Sequence, residues 1–336
     1  RALFEEKIPE QYISDRTLSG DLSRYAAVIL PDIGYLPDTV ADDLRRYVEN
    51  GGGIVAMNRT SLFDANGKLR DNFLLADLFG VDYAGELPDT TELPPWFGDI
   101  RSGTEFSNAQ KMKFLAAGDH PIVDRTIREA HSIEVMPEYL RGTPAAHRLP
   151  FAWPMLKVKP QSGTAMAIWE GVQEAPKRWP LITTRTYGKG RVVYIASDLG
   201  RAYVDHHTWP YQRRMMTNAV RFAAKKNPPV RTDAPLHVQM TAFRQGERII
   251  VHLLNDAHPH GLPPLTKQTF KGYYTNFSRV HEETVPLFDV AVSVTGEFSK
   301  TYFVPGKKKL TMSYVSGRTT VTLPRIDMHG MVVFNK

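Results

Sequence analysis

Apolar residues along the first quarter of the chain alternate between two periods. Tyr25–Leu30 and Ile54–Met57 are short, nearly continuous apolar runs of strand length, and between them Val40, Leu44, Tyr47 and Val48 recur at helical spacing. Pro37-Asp38 suits the first turn of that helix, where amides lack partners. Gly51-Gly52-Gly53 ends it and lets the chain turn at once into the next strand. Strand, helix, strand is the unit of a parallel doubly wound sheet. A turn at Asp64–Gly67 and a helical stretch Phe73–Phe79, stopped by Gly80, follow.

From about 84 to 160 the pattern loosens into prolines, short turns and a few strands such as Ser132–Val135, as expected of an insertion. Order returns with strands at Thr164–Glu170 and Leu181–Tyr187, a hairpin turn Gly188-Lys189-Gly190, and a strand Arg191–Asp198 ending at a polar edge. A helix is predicted over 211–225, with Met215, Met216, Ala219, Val220 and Phe222 as its apolar stripe. Lys225–Val230, charged and proline-rich, reads as a linker. Beyond it His237–Phe243, Arg248–Asn255, Val285–Val294, Thr301–Val304, Leu310–Val315, Thr319–Pro324 and Met331–Phe334 read as short strands of an antiparallel sandwich. The expected domains are therefore 1–225, α/β, and 229–336, a small β-sandwich. A doubly wound domain normally opens with a strand, whereas residues 1–12 read as the tail of a helix. At least one strand is accordingly expected upstream of Arg1.

The 336 residues suit about two domains, and hydrophobic (42%) and charged (23%) contents are those of a globular protein. The segment Arg1–Lys7 reads as helix interior rather than as a leader, and no apolar run has the length of a membrane span. The net charge of +6 arises entirely after residue 225; before it the two signs balance. Its basic residues are scattered except for Lys307–Lys309 beside Pro305-Gly306, read as a turn. Neither a nucleic-acid nor a membrane partner is expected.

Four segments in order resemble the amidotransferase-like module that follows the catalytic barrel of glycoside hydrolases, best known as the trimerisation domain of family 42 beta-galactosidases. They are Tyr25–Asp32, Leu44–Asp64, Asp71–Val81, and Gly188–Gly200 with Arg213–Phe222 as the helix behind it. The tail is similar to the C-terminal β domain of such enzymes, in the strand Ile249–Asn255 ending Leu-Asn and in the Val-Pro-x-x-Asp-Val run at 285–290. The resemblance implies a flavodoxin-like (class I amidotransferase-like) doubly wound sheet followed by an antiparallel β-sandwich. It further implies the non-catalytic C-terminal region of a beta-galactosidase-like glycoside hydrolase, with its own upstream catalytic barrel as partner and a homo-oligomer as assembly.

Working amidotransferases of this fold carry a cysteine nucleophile after a strand, and this chain has no cysteine. That excludes their reaction, and thiolate zinc sites and disulfides with it. The turn after Ile54–Met57 offers Asn58-Arg59-Thr60-Ser61 instead. Ser61 lacks the flanking glycines and nearby histidine of a nucleophile elbow and reads as a capping residue. Glycoside hydrolysis needs two carboxyls of opposed protonation. Asp32, Glu170 and Asp198 lie at strand ends, where doubly wound sheets gather ligands, but each equally suits helix capping. Asp205, His206, His207, Asp256, His258 and His260 carry metal-ligating groups but read as solvated loops, so no metal and no cofactor is expected.

The tryptophans Trp96, Trp153, Trp169, Trp179 and Trp209 fall mostly in loops, where they suit sugar stacking or an interface. Trp96, Trp153, Trp209, Asp32, Asn58, Arg59, Asp198 and Arg201 are the ligand or interface candidates; none is expected to be catalytic. Two further functions stay open: a carbohydrate-binding module, and a stand-alone hydrolase using Ser61 or Asp198.

Overall fold

The structure is a computed structural model that describes residues 1–14, 18, 21–86, 112–116, 120–123, 156–161, 164–171, 178–200, 203, 210–255, 285–304 and 306–336, with the backbone path alone for 112–116, 164–171, 178, 210 and 211. The chain divides into two compact units: Ile13–Lys226, and Arg1–Tyr12 together with Asn227–Lys336.

The first unit is built on a six-stranded sheet. Its strands are β1 (Ala27–Pro31), β2 (Gly53–Met57), β4 (Met112–Ala116), β6 (Thr164–Gly171), β7 (Arg178–Tyr187) and β8 (Gly190–Ile195), in the order β1-β2-β8-β7-β6-β4. Strands β1, β2 and β8 are mutually parallel, whereas β7, β6 and β4 run antiparallel to their neighbours. The sheet is therefore mixed rather than parallel throughout. The cause is local: the two-residue turn Gly188-Lys189 can join only antiparallel strands. A separate antiparallel ribbon, β3 (Val81–Glu86) with β5 (Leu156–Pro160), brings together the two ends of the expected insertion. The strand expected at Ser132–Val135 lies outside the described residues.

Helix α2 (Asp38–Glu49) buries Val40, Ala41, Leu44, Tyr47 and Val48. They join Val28, Leu30, Ile54, Ala56, Val192 and Tyr194 in one core, so α2 covers the sheet face that carries the even-numbered residues. The short α3 (Ala76–Phe79) ends at Gly80 with φ 71°. Helix α4 (Pro210–Ala224) covers the opposite face, where a side chain at Gly53 would meet the carbonyl of Ala223 at 2.3 Å.

The three glycines have three different reasons. Gly51 alone is at positive φ (113°) and reverses the chain after α2. Gly52 leaves room for the Tyr47 ring, which a Cβ would approach to 2.2 Å, and Gly53 for the backbone of α4. Tyr47 is sealed in by this contact: its hydroxyl donates to the carbonyl of Tyr25 at 3.0 Å, and burial pushes its phenol up to about 12. At the same place Lys189 N–H donates to the carbonyl of Glu49 at 2.9 Å, satisfying a helix-end acceptor.

In the second unit, β10 (Val238–Gln245), β11 (Arg248–Asn255), β17 (His329–Asn335), β13 (Lys300–Val304) and β14 (Lys308–Lys309) form one antiparallel sheet. β15 (Met312–Val315), β16 (Arg318–Ile326), β12 (Leu287–Thr295) and β9 (Val230–Thr232) form another. Both contribute to one core, including Val251, Leu253, Val332 and Phe334 from the first and Val290, Val292, Val321 and Leu323 from the second. Part of the stretch read as a turn, Lys308–Lys309, is instead a strand paired with β13.

Asn255, which ends the Leu-Asn run, is 2% exposed. It donates to the carbonyls of Val285 (2.8 Å) and Asp327 (2.7 Å) and accepts from His237 Nε2 at 3.2 Å. That run is thus a tie across three segments. The opening helix α1 (Ala2–Glu5) is short, and Lys7 Nζ beyond it donates to the carbonyls of Pro235 (3.0 Å) and Leu236 (3.1 Å) within the same unit. Residues 1–12, read as part of the α/β domain, accordingly group with the tail.

Two outcomes follow from this packing. A Cβ at Gly190 would lie 2.3 Å from the carbonyls of both Val48 and Gly52. Gly190→Ala should destabilise the protein by about 3 kcal/mol or more, whereas Gly67→Ala, in open space at φ 75°, should cost about 1 kcal/mol. Urea unfolding of both variants checks the ratio. Second, burial and then Arg191 hold the imidazole of His120, packed edge-on against Phe222, below its ordinary value. The native state therefore resists protonating it. Its contribution is complete above about pH 6.5 and is lost as the pH falls below that. Calorimetry from pH 7 to 5 should show a falling Tm, and His120→Gln should reduce the slope.

Candidate functional site

Strands β1, β2 and β8 lie side by side and parallel, so Asp32, Asn58 and the segment following Ile195 emerge at one edge of the sheet. The backbone there is strained. Asp32 (φ 51°), Asn58 (φ 48°) and Ser61 (φ 65°) all occupy the left-handed region without being glycine, a conformation that only surrounding structure holds in place.

The ties that hold it are visible. One carboxylate oxygen of Asp32 accepts the Arg59 N–H at 2.9 Å, and the other accepts an Arg59 guanidinium N–H at 3.1 Å. The Arg59 guanidinium also lies 5.9 Å from the centre of the Phe63 ring. The Thr60 hydroxyl is in reach of the carbonyls of Met57 (2.6 Å) and Leu30 (3.0 Å) and accepts from Ile33 N–H at 3.2 Å. Asn58 N–H donates to Ile195 at 2.8 Å, and the Tyr194 hydroxyl donates to the Asn58 carbonyl, also at 2.8 Å. Burial first, then Asp32, pushes the Tyr194 phenol far above its ordinary value, so it stays a donor.

Ser61 is fully buried, and its hydroxyl accepts from Leu75 N–H, at the start of α3, at 3.3 Å. It caps, and presents no nucleophile to solvent. Asn58 differs from its neighbours. It is 1% exposed, yet among the described residues neither atom of its side-chain amide has a hydrogen-bond partner. Nothing in its residue type marked this; the signal lies in the backbone angle and the burial, which only the fold supplies.

Of the residues singled out in the sequence, Asp32, Asn58 and Arg59 come together. Asp198 is half-buried just past β8. Trp96, Trp153, Trp209 and Arg201, with Asp205, His206, His207, Asp256, His258 and His260, lie outside the described residues. Trp169, inside the strand expected at Thr164–Glu170, and Trp179, just before the one expected at Leu181–Tyr187, are register partners in β6 and β7. Among the described residues no group of three or more His, Asp or Glu is placed to hold a metal ion, and no helix is long and apolar enough to cross a membrane.

The sheet edge is thus tied by polar side chains. Residues 1–89 match the family model described as the beta-galactosidase trimerisation domain, so the family 42-like resemblance holds for that part of the chain. A search of curated proteins finds no match.

Among solved structures, an alpha-L-fucosidase isoenzyme 2 from Paenibacillus thiaminolyticus is similar at TM-score 0.67 and 18% identity, covering 99% of this chain and 44% of its own. A beta-galactosidase from Bacillus circulans sp. alkalophilus is similar at TM-score 0.60 and 14% identity, covering 100% and 36%. A catalytic mutant of a GH42 beta-galactosidase from G. stearothermophilus follows at TM-score 0.58 and 14% identity, covering 100% and 35%. At these identities the likeness is one of fold. The chain spans less than half the length of these three structures.

The tie at Asp32 yields a graded outcome. Asp32→Ala removes both bonds to Arg59 and should cost about 1–3 kcal/mol. Asp32→Asn keeps an acceptor for the Arg59 amide and should cost less than about 1 kcal/mol. Equal losses in urea unfolding would assign the effect to the ion pair instead.

Proposed function

We propose that this chain is a non-catalytic C-terminal region of a glycoside hydrolase of beta-galactosidase type, supporting its catalytic barrel and its assembly into oligomers. The observation that carries the proposal is the match of residues 1–89 to the trimerisation domain. The fold likeness to glycosidases over the whole chain supports it, with more than half of each of those proteins lying outside the matched part. On this reading the first unit is a flavodoxin-like domain, which its three parallel strands with helices on both faces support. Asp32, Arg59 and Asn58 then shape a sheet edge rather than perform chemistry. Trp96, Trp153 and Trp209 are the side chains through which the module would meet a barrel or a sugar.

The test is direct. The 336-residue chain, assayed on nitrophenyl galactosides and fucosides, should show no turnover, and light scattering should report self-association. Turnover abolished by Asp198→Asn would overturn the proposal in favour of a stand-alone hydrolase. A monomer that binds oligosaccharides, with binding lost in Trp96→Ala or Trp153→Ala, would replace it with a carbohydrate-binding module.

A further inference from the structure

The five-stranded sheet of the second unit turns Val251, Leu253, Val332 and Phe334 into its core. Alternation therefore puts His252 of β11 and His329 of β17 together on the other face. Leu254 is the register partner of His329, and Met331 that of His252, so the two histidines are diagonal neighbours across adjacent strands. Such neighbours are within reach of long side chains. Here they meet: His252 Nδ1 and His329 Nε2 are 3.1 Å apart. The ring planes lie within 20° of parallel, with centroids 5.3 Å apart. That separation is close to two ring radii plus the nitrogen contact, so the rings meet edge to edge. The Phe243 ring from β10 stands at 85° to His252, 5.7 Å away, and fixes one side.

We propose that His252 and His329 form a two-imidazole binding site for a divalent transition-metal ion, with Zn²⁺, Ni²⁺ and Cu²⁺ as the ions their chemistry selects. Neutral imidazole nitrogen is a preferred ligand of all three. At metal–nitrogen lengths of about 2.0–2.1 Å, two nitrogens stand roughly 2.9 Å apart at a right angle and roughly 3.4 Å apart at the tetrahedral angle. The observed 3.1 Å lies between these values. A metal would replace the single proton that the pair shares, after a rotation of the rings that turns both lone pairs toward it. His329 is exposed and His252 half-buried, which leaves an approach from solvent and room for water at the remaining coordination positions. The bland alternative is an N–H···N hydrogen bond between neutral rings and nothing more.

Calorimetric titration of the full chain with NiCl₂ or ZnCl₂ at pH 7.5 separates the two. The proposal expects a one-to-one site that loses at least tenfold in affinity in His252→Ala and likewise in His329→Ala. The double variant should be little worse than either single one, because the ligands act as a unit. Affinity should also fall as the pH is lowered, because protons compete with the metal for imidazole nitrogen. His252→Gln and His329→Gln, with unchanged circular dichroism, guard against a loss caused by misfolding. Binding that survives in either alanine variant, that vanishes only in His258→Ala or His260→Ala, or that is absent from the parent chain overturns the proposal.

Discussion

The first unit depends on how closely backbones approach at the base of its sheet. Around Gly52, Gly53 and Gly190, the end of α2, the start of β2, the β7–β8 hairpin and the end of α4 come within distances that no side chain permits. The order of the sheet follows from this. With β8 seated against β2 and its hairpin turn donating to the last carbonyl of α2, helix, strand and hairpin have little freedom to slide. Tyr47 completes the joint by spanning from α2 to the carbonyl of Tyr25 just before β1.

That joint was half legible in the sequence. The three consecutive glycines announced a helix end and a strand start at the right place, and the periodicity of Val40, Leu44, Tyr47 and Val48 identified the buried face of α2. The reason for the second and third glycines was not legible, since it depends on an aromatic ring five residues back and on a helix some 170 residues away in sequence. The orientation of β7 was written in the sequence more plainly than the parallel reading allowed: a two-residue turn forces an antiparallel pair. In the tail, the strands after the linker were recognisable from their alternation. β9 and β14 were missed because two or three residues carry no period.

The opposite edge of the sheet shows why the site was harder to read than the fold. Asp32, Arg59 and Ser61 are residue types that serve catalysis as readily as they serve turns, and sequence cannot say which. Here Asp32 and Ser61 are tied to backbone amides, Asp32 to that of Arg59 and Ser61 to the one before α3, and the Arg59 guanidinium is paired with Asp32. A carboxylate and a hydroxyl engaged in holding left-handed turns are poor candidates for moving protons. Asn58 is the exception, buried with its side-chain amide unpartnered among the described residues.

The two units thus differ in what they leave for function. In the first, polar groups at the strand ends are largely consumed in holding strained backbone. In the second, Asn255 consumes its hydrogen bonds in the same way, joining three segments from within the core. On the outer face of that sheet the constraint is weaker. Among the described residues the ring nitrogens of His252 and His329 contact only each other. A polar pair that the fold does not need is where an added property is least costly to the structure. That distinguishes the histidine pair from the Asp32, Arg59 and Thr60 cluster at the strand ends.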